Sequence, residues 1–178
     1  MVILMNSEVK WIYIKEDDNI ARYVLGVLGS TPLIFFGVNP STAAPNNLDN
    51  TVRNVVKLAE KQKCDSWIML NIYPQRDKNP DGMHSNVQDR FYKRNLDEIE
   101  NVLKFNRGSV LIAGWGNLIE KRSYLKESLR DIYDLSVKYQ CSWMCVDQNK
   151  SGHPKHPLYI SIKNSNLKEF DIKTQYDL

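Results

Sequence analysis

The sequence predicts an α/β fold: a three-layer α-β-α sandwich around a mainly parallel, four-stranded central sheet, with an N-terminal hairpin before it. Strand-like and helix-like segments alternate three times, which favours parallel strands joined by helical crossovers. The strand-like segments are continuous apolar runs, as is typical of strands that helices cover on both faces. The 178 residues, of which 42% are hydrophobic, suffice for one core and one domain.

We expect this single domain, residues 1–178, to have three parts. Edge elements occupy residues 1–30, the α/β core occupies residues 31–163, and a tail occupies residues 164–178. The tail is polar, and chain ends of this kind are often poorly ordered. We therefore expect the tail to be frayed or only lightly docked.

The strands are predicted from short apolar runs. Residues 9–14 alternate apolar and polar side chains, so they fit a strand near the sheet edge. Residues 21–28 fit a strand or a short helix, and the turn residues at 29–32 favour a hairpin into the next element. The four central strands are predicted at residues 33–38, 67–72, 109–115 and 141–146.

Three helices are predicted from apolar residues at helical spacing. They cover residues 51–62, 87–105 and 117–139, and each has charged residues away from its apolar stripe. Asp49 or Asn50 is placed to cap the first of them, because a short polar side chain there can accept from the first turn.

Charge and cysteine content limit the classes of partner and compartment. A net charge of +3 tolerates a polyanionic partner without requiring one. The three cysteines are sparse and odd in number, and residues 1–5 are too short for a secretory leader, so we expect a cytoplasmic protein. No apolar run approaches the roughly 20 residues that a membrane helix requires. Cys141 and Cys145 are too far apart on one strand to share a metal, and no cofactor motif occurs, so no metal or cofactor is predicted.

The first candidate site is the string that follows the first buried strand. In open α/β sheets ligands bind beyond the carboxyl ends of the strands, and this string lies at such an end. Gly37 would let a flat ligand approach the backbone, and Asn39 would hold a water or an amide edge. Pro40 shapes the turn, while Ser41 and Thr42 add hydroxyl groups. The same string also fits a capped strand-to-helix turn that has no function.

Further candidates follow the next two strands. Asn71 is a polar residue inside an apolar run, so it is either structural or a reader of ligand at the strand end. Tyr73 and Gly116 lie at the same predicted edge of the sheet. Arg76 could bind a phosphate through two parallel hydrogen bonds, although such a loop charge is more often simply solvated.

Residues 151–157 hold two of the three histidines, with Lys155 between them. His153 and His156 each precede a proline, which suggests that their imidazoles are presented in a fixed direction. An imidazole can donate to a developing negative charge or act as a general acid. The alternative is an exposed polar loop.

Three of these strings resemble motifs of the uracil-DNA glycosylase superfamily. Gly-Val-Asn-Pro-Ser at 37–41 resembles the Gly-Ile-Asn-Pro-Gly of its mismatch-specific branch. Residues 110–122 resemble a strand and helix of the classical uracil-DNA glycosylases. His-Pro and Pro-Leu within 153–158 resemble the second motif, His-Pro-Ser-Pro-Leu. The resemblance implies the same fold, a base pocket and, in Leu158, a residue that wedges into the duplex. The classical uracil-DNA glycosylases carry an aspartate where this chain has Asn39.

A second resemblance covers most of the chain. Residues 33–44, 49–53, 70–73, 113–116 and 152–159 resemble the bacterial and phage family known as domain of unknown function 1643. That family implies no activity.

Two main functional hypotheses follow. In the first, the protein hydrolyses an N-glycosidic bond in a nucleic acid or a nucleoside. The superfamily resemblance then implies that Asn39 positions the water, Asn71 holds the base edge, and His153 or His156 stabilises the departing base. In the second, the protein binds a nucleic acid or nucleotide on the same fold without chemistry. An enzyme for a small modified nucleotide is a third option, and the oligomeric state is left open.

Overall fold

The computed structural model describes residues 9–164 and 166–178. Within these residues, the chain forms seven strands and four α-helices, joined by turns and short 3₁₀ segments. The strands are β1 (Trp11–Lys15), β2 (Arg22–Val27), β3 (Pro32–Gly37), β4 (Ser66–Asn71), β5 (Val110–Ala113), β6 (Ser142–Cys145) and β7 (Lys168–Glu169). The helices are α1 (Asn50–Lys61), α2 (Asp89–Phe105), α3 (Tyr124–Lys138) and α4 (Ile172–Tyr176).

The strands form one mixed sheet in the order β1-β2-β4-β3-β5-β6-β7. Strands β4, β3, β5 and β6 run parallel to their neighbours in this set, whereas β1, β2 and β7 pair antiparallel at the two sides. The α/β class is confirmed. The expectation of a four-stranded sheet with a separate hairpin is corrected, because backbone pairing extends the same sheet to seven strands.

The turn at residues 29–32 does not lead into a hairpin. Strand β2 pairs with β1 and β4, and β4 lies between β2 and β3. The Asp65 carboxylate, just before β4, accepts hydrogen bonds from the Ser30 and Thr31 amides at 2.8 Å each. This distant carboxylate ties the turn to the start of β4. Strands β2 and β3 run antiparallel but do not pair, because β4 lies between them.

The helices agree with the sequence except at residues 117–139. Asp49 caps α1, because its Oδ1 accepts from the Val52 amide at 2.9 Å. The predicted third helix is divided into a 3₁₀ turn (Gly116–Glu120) and α3. Arg122, at the break, donates to backbone carbonyls of residues 81, 83 and 84, which holds the link in place. None of the helices in the described part of the chain has the length and apolar character needed to cross a membrane.

The tail is docked, contrary to the expectation from its polarity. Strand β7 pairs with β6, and Phe170, Ile172 and Tyr176 are buried in the core. The Trp115 indole donates to the Tyr176 hydroxyl at 2.7 Å. Three apolar side chains among polar residues give no clear periodicity, so the sequence pattern does not reveal that this segment closes one side of the core.

Candidate functional site

A cleft of about 790 Å³ opens at the carboxyl ends of the parallel strands. Its volume is within the range of small-molecule sites. The loop after β3, the first turn of α1, the turn after β5 and the segment around His156 form its walls. Of the residues that the sequence nominates, those lining the cleft are Gly37, Asn39, Pro40, Ser41, Gly116, Lys155, His156 and Leu158.

The floor of the cleft is formed where β3 and β4 end. Gly37 pairs with Asn71 across these strands, and Gly37 and Met69 both line the cleft. A Cβ atom on Gly37 would lie 2.8 Å from the Met69 methyl and 3.1 Å from Asn71 Oδ1. A side chain here would have to displace the flexible Met69 methyl and would crowd the Asn71 amide, so glycine leaves this part of the floor unobstructed.

The Asn71 carboxamide is fully buried and has no hydrogen-bond partner for either Nδ2 or Oδ1 among the described residues. Leaving both ends of a buried amide unpaired costs several hydrogen bonds that water would have made, and native proteins rarely do this. The backbone carbonyl of the same residue is paired, with the Asn95 amide at 3.0 Å. Asn71 is not itself among the residues that line the cleft, but its Oδ1 lies beside Gly37, which forms the cleft floor.

The side chain of Asn39 is held in place through contacts of its amide nitrogen with backbone carbonyls. Its Nδ2 lies 3.2 to 3.3 Å from the carbonyl oxygens of Pro40, Gln75 and Asp77. Because carbonyls only accept, these contacts use the donors of Asn39 and leave Oδ1 as an acceptor. This oxygen can hold a water molecule through its hydrogen, but an amide cannot take the proton away.

His156 is the histidine that lines the cleft. Its Nδ1 accepts from the Leu158 amide at 3.4 Å, which leaves the proton on Nε2. Burial lowers the pKa of His156, and the nearby Asp49 carboxylate opposes this only in part. Gly116, at a φ of +63°, lies against the His156 Cβ. The neutral ring therefore offers one hydrogen-bond donor.

His153 lies outside the cleft. Its ring stacks on that of Tyr176 at 5.6 Å, and its Nδ1 lies 2.9 Å from the Tyr176 hydroxyl. Its Nε2 lies 3.3 Å from Glu120 Oε1. Both ring nitrogens thus have partners within the protein, Nδ1 in the docked tail and Nε2 in the 3₁₀ turn after β5.

Tyr73 and Thr42 are also outside the cleft lining. Tyr73 is buried, and its hydroxyl contacts His84 Nδ1 at 2.9 Å and accepts from the Gln88 amide at 3.1 Å. These bonds organise the long loop after β4. Thr42 is exposed on the surface.

Arg76 holds the loop after β3 and does not line the cleft. Its guanidinium donates to the Ser41 carbonyl at 2.5 Å, the Ala43 carbonyl at 3.1 Å and the Tyr13 hydroxyl at 2.6 Å. Its terminal nitrogens are used within the protein, and its Nε is buried without a partner among the described residues. Because Arg76 is not among the residues that line the cleft, the predicted contact with phosphate is not available to a ligand bound there.

Lys155 lines the cleft but is paired. Its ammonium contacts Asp147 Oδ2 at 2.6 Å, and Lys168 of β7 contacts Oδ1 of the same carboxylate at 2.7 Å. Hydrogen bonds from the two lysines hold the pKa of Asp147 far below its usual range. The tail thereby fixes one rim of the cleft.

Sequence reasoning missed three charged residues of the cleft, Asp49, Arg22 and Lys78. Asp49 was recognised only as a helix cap, yet it is the one carboxylate among the lining residues that the structure describes. Arg22 is 1% exposed and also lines the cleft. The sequence did offer a signal for Arg22, because an arginine at the start of an apolar run that fits a buried strand is unusual.

The described residues offer no evident metal site. No three His, Cys, Asp or Glu side chains in residues 9–164 and 166–178 are grouped closely enough to bind a metal ion. All three cysteines are free thiols.

The buried histidines predict how stability depends on pH. Burial lowers the pKa of His84, His153 and His156. The unfolded chain, whose histidines titrate near about 6.5, therefore binds protons before the folded protein does. We expect the free energy of unfolding to fall as the pH drops from 7.5 to 5.5, measured by urea denaturation. A His153→Gln variant should show a shallower dependence, and stability that is flat or rises on acidification would contradict the prediction.

Comparison with known proteins leaves the function open. No curated protein and no solved structure matches the chain significantly. The glycosylase-like fold and the bacterial or phage origin therefore stay predictions. One family model covers most of the chain, over residues 22–158, and its match includes the cleft-lining segments from β2 to Leu158. The chain thus belongs to the family described as Protein of unknown function (DUF1643).

Proposed function

We propose that the cleft binds a nucleobase and that its side chains hydrolyse the N-glycosidic bond of that base. The observation that carries this proposal is the buried, unpartnered carboxamide of Asn71. A carboxamide presents a donor and an acceptor side by side, which complements the edge of a nucleobase. Met69, which stands at the floor beside Gly37, has a flexible side chain that a flat ring can displace.

The lining residues supply groups for each part of the hydrolysis. Asn39 Oδ1 holds the water, and the Asp49 carboxylate accepts its proton as the oxygen bonds to the sugar carbon. The bond from that carbon to the base breaks, and its electron pair leaves with the base. The Nε2–H of His156 donates to the departing base and stabilises its charge. The products are the free base and a sugar with a hydroxyl group at the anomeric carbon.

The test measures base release directly. The purified protein is incubated with labelled oligonucleotides that contain uracil, hypoxanthine or a guanine–thymine mismatch, and strand scission is measured after alkali. Free nucleosides and 5′-monophosphates are assayed in parallel by chromatography of the released base. We expect Asn39→Ala and His156→Ala each to reduce the rate about 100-fold or more.

His153→Gln is the matched control, because His153 belongs to the same loop but lies outside the cleft. Its rate should stay near that of the parent protein, provided that thermal unfolding shows an intact fold. Equal losses for His153→Gln and His156→Ala would contradict the assignment. Absence of base release from every substrate would overturn hydrolysis.

A second candidate is a binding module that performs no chemistry. It is favoured by Asn39, which follows β3 with an amide whose donors are already used by backbone carbonyls. In that case oligonucleotides or nucleotides would bind, with an affinity for nucleic acid that falls steeply with salt, and no base would be released.

A further inference from the structure

We propose that Arg22 forms a phosphate subsite at the inner end of the cleft, so that the ligand is a nucleotide and not a free base or nucleoside. This inference rests on the proposed function, since it places the phosphate of the same ligand whose base Asn71 reads. It assigns a ligand-binding role to a residue of β2 that lies outside all the strings that resemble glycosylase motifs.

The hydrogen bonds of Arg22 leave one edge of its guanidinium unused. The side chain is 1% exposed and lines the cleft. Its Nη1 donates to the Ala43 carbonyl at 3.1 Å, whereas its Nε is buried with no partner and its Nη2 makes no hydrogen bond within the described chain. The Nε and Nη2 edge is the planar pair of donors that binds two oxygens of a phosphate in parallel.

Within the described chain, Arg22 also lacks an ion pair. None of the ion pairs among residues 9–164 and 166–178 includes Arg22 or Arg76. The two guanidinium groups share the Ala43 carbonyl and repel each other, while Asp49 and Tyr13 oppose this repulsion. Burial, with the repulsion from Arg76, lowers the pKa of Arg22 to about 10. A buried cation without an ion pair is costly, and a bound anion would remove that cost.

Two further features of the cleft favour an anion near Arg22. The first turn of α1 lines the cleft and contains no acidic residue, so its backbone N–H groups and helix dipole favour negative charge there. Lys78 is exposed at the rim, where it can attract an anion from solution. Asp49 is the opposing charge, and it already uses the Val52 amide of this turn, so Arg22 must supply most of the attraction for the phosphate.

The experiment compares ligands that differ only in the phosphate. Binding of adenosine, guanosine, cytidine and uridine, of their 5′-monophosphates, and of inorganic phosphate is measured by calorimetry on the full chain. We expect the monophosphate of the preferred base to bind about 10- to 100-fold more tightly than its nucleoside. Arg22→Gln should remove this gain and leave the affinity for the nucleoside unchanged. Monophosphates that bind no better than nucleosides would overturn the subsite.

Two variants separate this effect from general attraction and from misfolding. Lys78→Ala tests attraction at the rim, and it should reduce the gain by no more than a few-fold. Arg22→Lys keeps the charge but not the two parallel donors of the guanidinium. We therefore expect this variant to keep only part of the gain in affinity for the monophosphate, with its fold verified by thermal unfolding. If Arg22→Gln does not fold, competition on the parent protein decides: inorganic phosphate should compete with the monophosphate but not with the nucleoside. A gain that survives in folded Arg22→Gln would contradict the proposal.

The source of the phosphate is distinguished by one more ligand, a dinucleotide whose only phosphate is an internal diester. A gain for the monophosphate alone identifies a free nucleotide, and an equal gain for the dinucleotide identifies a nucleic-acid strand. The measurements also distinguish a failure of the phosphate-subsite proposal from a failure of the hydrolysis proposal. A phosphate gain without base release supports the subsite alone, and base release that is equal for nucleosides and monophosphates supports hydrolysis alone.

Discussion

Asn71→Leu is expected to weaken binding of the nucleobase strongly while it raises the free energy of unfolding. Leucine has nearly the shape of asparagine, so it fills the same space without two buried polar atoms that lack partners. Removing that penalty should stabilise the protein by about 1–3 kcal/mol. Loss of both hydrogen bonds to the base should weaken nucleoside or nucleotide binding roughly 100-fold.

Urea denaturation and calorimetry measure the two effects in the same protein. The matched control is Asn95→Leu, a second buried asparagine, which lies on α2 away from the cleft. Its Nδ2 donates to the carbonyls of Asn71 and Ile72 at 3.0 and 3.2 Å. Its removal should therefore destabilise the protein by about 1–3 kcal/mol, and any loss of ligand affinity should be far smaller than for Asn71→Leu, because the Asn71 side chain remains. An Asn71→Leu protein that binds ligand normally would show that the amide is not the base reader.

Tyr176→Phe is expected to lower the free energy of unfolding by about 2–3 kcal/mol, although the change removes one oxygen atom near the end of the chain. The hydroxyl accepts from the Trp115 indole at 2.7 Å and contacts His153 Nδ1 at 2.9 Å. Both partners are buried, so each would lose its hydrogen bond without gaining water. Urea denaturation near pH 7.5 measures the loss.

Tyr139→Phe controls for the removal of a tyrosine hydroxyl as such. The Tyr139 hydroxyl donates to the solvent-accessible Glu100 carboxylate at 2.8 Å, so water can replace it. We expect a loss below about 1 kcal/mol for this variant. A loss for Tyr176→Phe that is no larger than this would mean that the tail is not coupled to the core through its hydroxyl.

The local elements of the core were predictable because each depends on neighbours in sequence. The continuous apolar runs specify the central strands, and Asp49 specifies the start of α1 through a contact with Val52 three residues later. Gly37 and Asn39 were identified for the same reason, since a glycine and an amide at a strand end have a restricted set of uses. Strand pairing gave no such local signal. The antiparallel contact between β2 and β4 depends on residues about 40 positions apart.

The sequence by itself determined the α/β class, the main strands and helices, and the edge of the sheet at which the cleft opens. Only the tertiary structure decided that His156 and not His153 lines this cleft, because the choice depends on Tyr176, which binds His153 from 23 residues away. It likewise decided that Arg76 holds a loop while Arg22 lines the cleft. A charged side chain has the same local sequence signal in either role. Which role it takes depends on the carbonyls and carboxylates that folding brings within reach of its donors.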